Sequence, residues 1–380
     1  MQTEELYSLR EDFHQHPELS GLEIRTASKI VEVLKELGTT QIHTHIGGHG
    51  VIAEYVFSSE GPTILFRADI DAVAVNETQS CFYHSDNPGV SHKCGHDGHT
   101  TILLAMANLL HQFPLKKGKV LLLFQPAEET GQGARQVLEH PFFQNMHIDK
   151  TYALHNLPGF PLKAVVCREG SFTCSVISCS IQVEGKTSHA AEPEKAISPT
   201  AVLLNILEKT MSWNQGEPEM QDYFRTTLIE LHIGEEAYGV AAGSGVIRFT
   251  MRASTAQHLK IHTDKLEKLV KQLKENYPAL RFSTEWLESF TANENQAAAV
   301  SVIKQATIKN GLTYVETNCP FTWGEDFGLF TQHIPGAMFG LGAGEQQPAL
   351  HTPTYDFPNT IIEAGAQMFY QIAVEETEKE

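Results

Sequence analysis

No apolar run in this 380-residue sequence approaches the roughly 18 residues that a membrane-spanning helix requires. Positive charge is also scarce. Against 46 Asp and Glu stand 28 Lys and Arg, a formal net charge of -18, which repels phosphate backbones and anionic membrane surfaces. Nucleic acid and membrane are therefore excluded as expected partners. The first residues, MQTEELYSLREDF, carry acids and no apolar stretch, so they are not read as a secretory signal. Low-complexity tracts and internal repeats are absent, and 41% hydrophobic with 19% charged residues describes a folded globular chain. Cysteine is sparse: Cys81, Cys94, Cys167, Cys174, Cys179 and Cys319 are irregularly spaced and show no disulfide framework. They are expected to be reduced thiols in a cytoplasmic setting. Cys174 and Cys179, in FTCSVISCSIQV, read as packed strand cysteines.

The length exceeds what one hydrophobic core usually fills, so two domains are expected. The first 40 residues read as helix, with Leu22, Ile24, Ile30, Val31, Val33, Leu34 and Leu37 near helical spacing and Gly38 as the stop. Short apolar runs follow (GVIAEYVF, PTILFRADID, KVLLLFQPAEE, TYALHNLPG), alternating with helical patterns such as TTILLAMANLLHQF and GARQVLEHPFF. This alternation predicts an α/β domain: a mostly parallel sheet with helices on both faces. Near residue 170 the texture changes. SVISCSIQVEG and GVIRFTMRAS alternate with period two, while SPTAVLLNILEKTMSW and TDKLEKLVKQLKENY read as helices. A smaller α+β domain spanning 171–285 is thus expected to interrupt a larger domain made of 1–170 and 286–380, to which GAMFGLGAG returns the chain.

Polar residues follow the apolar runs. TILF leads to Asp69 and Asp71, VLLLF to Glu128 and Glu129, and YAL to His155. Ligands bind at the carboxyl ends of parallel strands, so these sets are expected to converge. The loop HKCGHDGHT adds Cys94 and His96 in front of a helix expected to begin at Thr100. Thiolate, imidazole and carboxylate together suit zinc, manganese, cobalt or nickel rather than calcium or magnesium. Taken by itself, the loop leaves Cys94 open as nucleophile, ligand or neither. Glu128 and Glu129 could divide metal binding and proton transfer between them, or simply favour a helix N-terminus.

The segments LREDFHQHPELSGLE, FRADIDAVAV, HKCGHDGHT, LLLFQPAEETGQGA, ALHNLPG, GKTSHAAEP, WGEDFG and LHTPTYDFPN occur in order along nearly the whole chain. Together they resemble the amidohydrolase branch of the aminoacylase-like dinuclear metallopeptidases, which includes hippurate hydrolases, indole-acetyl-amino-acid hydrolases and N-acyl-amino-acid amidohydrolases. The resemblance implies two divalent ions per subunit, manganese or zinc before cobalt or nickel, held by Cys94, His96, Glu129, His155 and His351. It implies Glu128 as general base and a small N-acyl amino acid as substrate. It also implies that the inserted domain is a dimerisation or lid domain, making a homodimer or larger homo-oligomer. In related enzymes the histidine corresponding to His189 reaches the partner's active site and steadies the developing oxyanion.

Some positions depart from the family pattern. Arg67 stands where many relatives carry a ligating histidine, so Asp69 is expected only in a supporting role. Thr187 and Ser188 replace glycines before His189, YGVAAGSG replaces an asparagine-containing stretch, and Gly324 replaces a serine. These bear on substrate class, for which Arg248 and Arg252 are candidate carboxylate partners. The alternatives are a dipeptidase or aminobenzoyl-glutamate type hydrolase on the same scaffold, and a thiol hydrolase with Cys94 as nucleophile.

Overall fold

The computed structural model describes residues 1–78, 83–220 and 222–378; Cys81 lies outside them. The chain divides into two compact units, one made of Met1–Phe172, Asn293–Asn318 and Glu325–Glu380, the other of Thr173–Ala292 and Cys319–Gly324. Among the described residues no helix is long and apolar enough to cross a membrane.

The first unit opens with two helices, α1 (Thr3–Gln15) and α2 (Ile24–Glu36), rather than one continuous helical segment. Pro17 explains the break, because the residue before a proline is pushed out of the helical region. Leu22 lies before α2 and, like Ile24, is exposed. The chain then builds β1 (Gln41–Ile46), β2 (Gly50–Val56), β3 (Thr63–Asp69), α3 (His96–Gln112), β4 (Lys119–Gln125), β5 (Lys150–Pro158) and β6 (Val165–Cys167). With the strands Tyr314–Glu316 and Gly336–Gly344 these form an 8-stranded sheet in the order β1, β2, β4, β3, β5, Gly336–Gly344, β6, Tyr314–Glu316. Its centre is parallel: β4, β3, β5 and Gly336–Gly344 run together. β1 and β2 form an antiparallel margin.

Strand parity sorts the two faces. Ile64, Phe66 and Ala68 of β3, Val120, Leu122 and Phe124 of β4, and Tyr152 and Leu154 of β5 join one apolar core with α1, α2, α3, Ala297–Lys309 and Ile362–Glu378. Arg67, Asp69, Leu123, Gln125 and His155 have the opposite parity. On that side the short helix Gly133–Glu139 packs against β4, and Gly328–His333 packs against that helix. Polar groups at the strand ends therefore stand on the face with the thinner helical cover.

The second unit is an antiparallel sheet in the order Phe224–Ile233, Ser244–Ala253, Ser175–Glu184, Arg281–Phe290. The helices Thr200–Ser212 and Ala256–Asn276 build its core with Ile181, Val183, Phe249 and Met251. Residue 285, the expected end of the insert, falls inside the edge strand Arg281–Phe290, and Cys319–Gly324 returns to this unit. Cys174 and Cys179 are buried here.

A buried ionic network ties α1 to the start of α3. Arg10 donates to Asp97 at 3.1 Å and Asp356 at 2.8 Å, while His14 pairs with Asp97 at 2.8 Å and Glu77 at 2.9 Å. Burial alone would raise the Asp97 pKa, but His14 and Arg10 hold it well below the carboxylate range; Glu77, beside His14 and Lys93, is brought down to about 2 against its own burial. Groups depressed in this way stabilise the fold above the unfolded carboxylate pKa of roughly 4, and that contribution is lost as pH falls through the folded values. Asp97→Ala should cost about 3–5 kcal/mol in urea unfolding, since it strips a buried cation and histidine of their partner. It should also flatten the loss of stability between about pH 4 and pH 2. Identical acid profiles for the two proteins would remove Asp97 from this account.

Candidate metal centre

β3 carries the chain past Asp69, Ile70 and Asp71, all buried. The loop before α3 then delivers Cys94 and His96, and the helix starts at His96 rather than at Thr100. Gly95 makes this start possible. Its φ is +95°, and a Cβ there would come within 2.6 Å of the Asn156 amide oxygen. His96 consequently projects from the first helical turn.

After β4 the chain turns sharply at Ala127, whose φ of +54° lies in the left-handed region. A non-glycine residue there costs about 1–2 kcal/mol. Beyond the turn the next two side chains meet different partners. A Glu128 oxygen accepts from the Asp326 backbone N–H at 3.4 Å, whereas Glu129 Oε1 lies 3.7 Å from His96 Nε2 and 3.4 Å from His351 Nε2. His155 sits within β5 rather than beyond it, paired with Gly340, and its Nε2 is 3.5 Å from Cys94 Sγ. His351 has φ +62° and donates its backbone N–H to the Lys93 carbonyl at 2.8 Å.

These positions bring ligand-capable atoms of Cys94, His96 and His155 within 4.8 Å of one another, and likewise Cys94, Glu129 and His351, and His96, Glu128 and Glu129. The expected ligand residues thus form one overlapping group with Glu128 at its edge. His189 is not among them; it is an exposed residue of the second unit, where Ser188–His189 pairs with Val240–Ala241. Arg248 and Arg252 also belong to the second unit. Arg248 pairs with Glu230, and Arg252 donates to the Thr322 carbonyl at 2.9 Å.

The donor atoms suit a bound cation. Among the described residues, His96 Nε2 and Glu129 Oε1 are buried without a hydrogen-bond partner although they face each other. The Asp71 carbonyl accepts from His96 Nδ1 at 3.0 Å and the Asn156 carbonyl from His155 Nδ1 at 2.9 Å, which reserves each Nε2 lone pair for a metal. The field is strongly negative. Burial opposes charge on His96, yet Asp69, Asp71 and Glu129 push its pKa up to about 10. Burial, with the charges of Glu129 and Glu128, raises the Cys94 pKa well above an ordinary thiol. A thiol in such a field is a poor nucleophile unless a cation is present. Burial and nearby His99 and His96 keep His155 neutral.

Arg67 lies fully buried beneath this group. It donates to Gln125 at 2.9 Å, Asp69 at 2.6 Å, Glu325 at 3.0 Å and Asp326 at 2.8 Å. Burial, together with Glu325, Glu129 and Asp326, raises the Glu128 pKa well above the carboxylate range. Inspection of the sequence singled out Arg67, Asp69 and WGEDFG but did not connect them. Asp71, expected at this strand end, accepts from the Glu129 backbone N–H at 3.0 Å and from the Ser20 hydroxyl at 2.7 Å, a supporting role that its position alone did not assign. A conspicuous signal was available, since an arginine inside an otherwise apolar strand run requires buried acids as partners. His99 is held by Asp69 at 2.6 Å, and the buried His92, pushed down to about 4 by desolvation, stays neutral.

Residues 65–375 match the family described as Peptidase family M20/M25/M40. The chain belongs to this family. Over 376 residues it is 32% identical to N-acetyl-L-cysteine deacetylase of Bacillus subtilis (strain 168), covering 97% of this chain and 87% of the relative. It is 28% identical to hippurate hydrolase of Campylobacter jejuni over 381 residues, 97% of this chain and 96% of that one. A solved Bacillus subtilis protein described as a dinuclear metal binding peptidase of the M20 family superposes with a TM-score of 0.82 at 27% identity, covering 99% of this chain and 98% of that one. This M20 chain is accordingly a metallo-amidohydrolase with an α/β fold.

Cation binding should be visible in stability. Manganese, zinc or cobalt at about 100 times its Kd should stabilise the protein by about 2.7 kcal/mol, read as a rise in Tm that excess chelator reverses. A Tm indifferent to metal and chelator would rule out this group as a metal centre.

Proposed function

We propose that this M20 enzyme hydrolyses the amide bond of small N-acyl amino acids, using two divalent ions held by Cys94, His96, Glu129, His155 and His351. The gathering of these donors around the orphaned His96 Nε2 and Glu129 Oε1 carries the reading. Manganese or zinc fits the mixed sulfur, nitrogen and oxygen set, with cobalt or nickel as substitutes. When bound, the ions polarise the carbonyl and lower the pKa of water. Glu128, whose pKa burial and neighbouring acids raise, would be brought back toward the working range by positive charge held at these ligands.

Glu128, steadied by the Asp326 N–H, takes a proton from the attacking water and returns it to the departing nitrogen. The products are a carboxylic acid and a free amino acid. His189 supplies a donor for the oxyanion. Its Nδ1 accepts from the Ala191 N–H at 3.0 Å, which places the ring hydrogen on Nε2. The second unit serves as the dimerisation or lid domain, so that His189 acts in the partner's site. Leu204 and Met211 on one helix, and Leu228 and Ile229 on the opposite edge strand Phe224–Ile233, are exposed apolar residues available for that contact. The free Cys94, Cys167, Cys174, Cys179 and Cys319 support a reducing, cytoplasmic setting.

A panel of N-acetyl, N-benzoyl and indole-acetyl amino acids, assayed with manganese and with zinc, tests the reaction; turnover of none would sink it. Glu128→Gln should keep its metal and lose about 10²–10⁴-fold in kcat. Loss of metal instead would reverse the roles of Glu128 and Glu129.

His189→Ala should lower kcat by about 10²–10³-fold with metal content unchanged. If sites are shared across a dimer, mixing inactive His189→Ala and Glu128→Gln subunits should restore partial activity. No recovery in a mixture shown to have exchanged subunits would place His189 outside the partner's site.

A further inference from the structure

The turn that separates Glu128 from Glu129 is held from outside the group of metal-ligating residues. Ala127 takes a left-handed φ, and its backbone N–H points to the carboxylate of Glu23, which accepts at 2.8 Å. The same oxygen accepts from Gly21 N–H at 2.8 Å, which fixes the side chain against its own loop. That loop is anchored in turn. The Glu18 carbonyl accepts from Ala72 N–H at 2.8 Å, and the Glu18 carboxylate caps α2 through the N–H groups of Arg25 and Thr26 at 3.1 and 2.8 Å. Ser20 meanwhile holds Asp71, the residue that receives the Glu129 N–H. On the far side of the turn Gly133 donates to the Ala127 carbonyl at 3.0 Å, where a Cβ would overlap the Pro126 carbonyl oxygen.

We propose that Glu23 is a positioning residue for the metal centre: its buried side-chain oxygen fixes the Ala127 turn and so aims Glu129 at the ions and Glu128 at the reacting water. This rests on the metal-centre reading above. Glu23 has no place among the ligand groups and reaches the chemistry only through a backbone N–H. Its second oxygen, Oε2, is buried without a hydrogen-bond partner among the described residues. What matters is therefore the reach of one acceptor oxygen rather than the charge. Burial raises the Glu23 pKa to about 7, so glutamine resembles its neutral form closely.

The test is a cobalt titration of the full-length protein, followed by thiolate-to-cobalt absorption and by competition with a chelator, for the wild type and for Glu23→Gln, Glu23→Asp and Glu23→Ala. Glu23→Ala, which loses the acceptor, and Glu23→Asp, which keeps the charge but shortens the reach, should weaken cobalt binding by about 10–100-fold, with Glu23→Gln within about threefold of wild type. At saturating cobalt the weakened variants should lose kcat with KM nearly unchanged. Wild-type affinity in Glu23→Asp overturns the proposal, as does a loss in Glu23→Gln equal to that in Glu23→Asp; this comparison stands even if Glu23→Ala fails to fold. If the wild type binds cobalt but hydrolyses nothing on the panel, the proposed reaction fails while Glu23 is judged by the titration alone. If the wild type binds no cobalt, both readings fall.

Discussion

Arg67 is the interaction on which the first unit's polar face depends. Its guanidinium is fully buried, between a strand end, the Glu325–Asp326 corner and the Gln125 side chain, and it donates to all four of these buried polar groups, Gln125, Asp69, Glu325 and Asp326. One positive charge does not balance Asp69, Glu325, Asp326 and Glu128 together. The surplus shows in the protons the site retains: burial lifts Asp326 to about 8 even with Arg67 beside it, and Glu128 is raised as well. A buried group with excess negative charge must hold protons or cations. Next to it, His96 is driven toward its charged form by Asp69, Asp71 and Glu129 against its own burial. Arg67 fixes the lower layer of charge permanently and leaves the upper layer exchangeable.

Strand parity converts this charge arrangement into a site. Because β3, β4, β5 and Gly336–Gly344 run parallel, their carboxyl ends share one edge, and the residues whose parity points away from the large apolar core collect there. The helices on the core side are long and tightly packed, which frees the thinner side for loops bearing ligands. Strained residues recur at this edge. Ala127 and His351 both hold left-handed φ values, and both lie beside the orphaned donors. Such conformations persist only where surrounding contacts over-determine them.

Much of this was readable from the sequence because it depends on local order. Apolar runs of strand length ending in Asp69 and Asp71, in Glu128 and Glu129, and next to His155 required only periodicity and the parallel-sheet rule. The Cys94 and His96 loop was recognisable from its donor density. Less accessible were features created by contacts across long stretches of chain. The union of Arg67 with Glu325 and Asp326 spans most of the first unit's sequence, and no spacing rule predicts it. The division of the N-terminal segment into α1 and α2 was signalled by Pro17 but masked by the helical spacing on its C-terminal side. The start of α3 at His96 was hidden because Gly95 and Gly98 read as loop residues, whereas Gly95 is there to let the chain pass Asn156.

The raised Cys94 pKa also explains what a sulfur ligand does to such a site. Carboxylates bind cations over most of the pH range, but a buried thiol beside Glu128 and Glu129 must give up its proton before it can bind. On the proposed ligand set, an ion held by Cys94 would displace its proton, and one held by a protonated His96 would displace another. On that ligand set, metal binding and charge balance would be a single equilibrium, the cation taking the place of protons on Cys94 and His96. The proton-acceptor role proposed for Glu128 would draw on the same balance, since a carboxyl held neutral by its neighbours becomes an effective proton acceptor only when nearby positive charge lowers its pKa toward the working range.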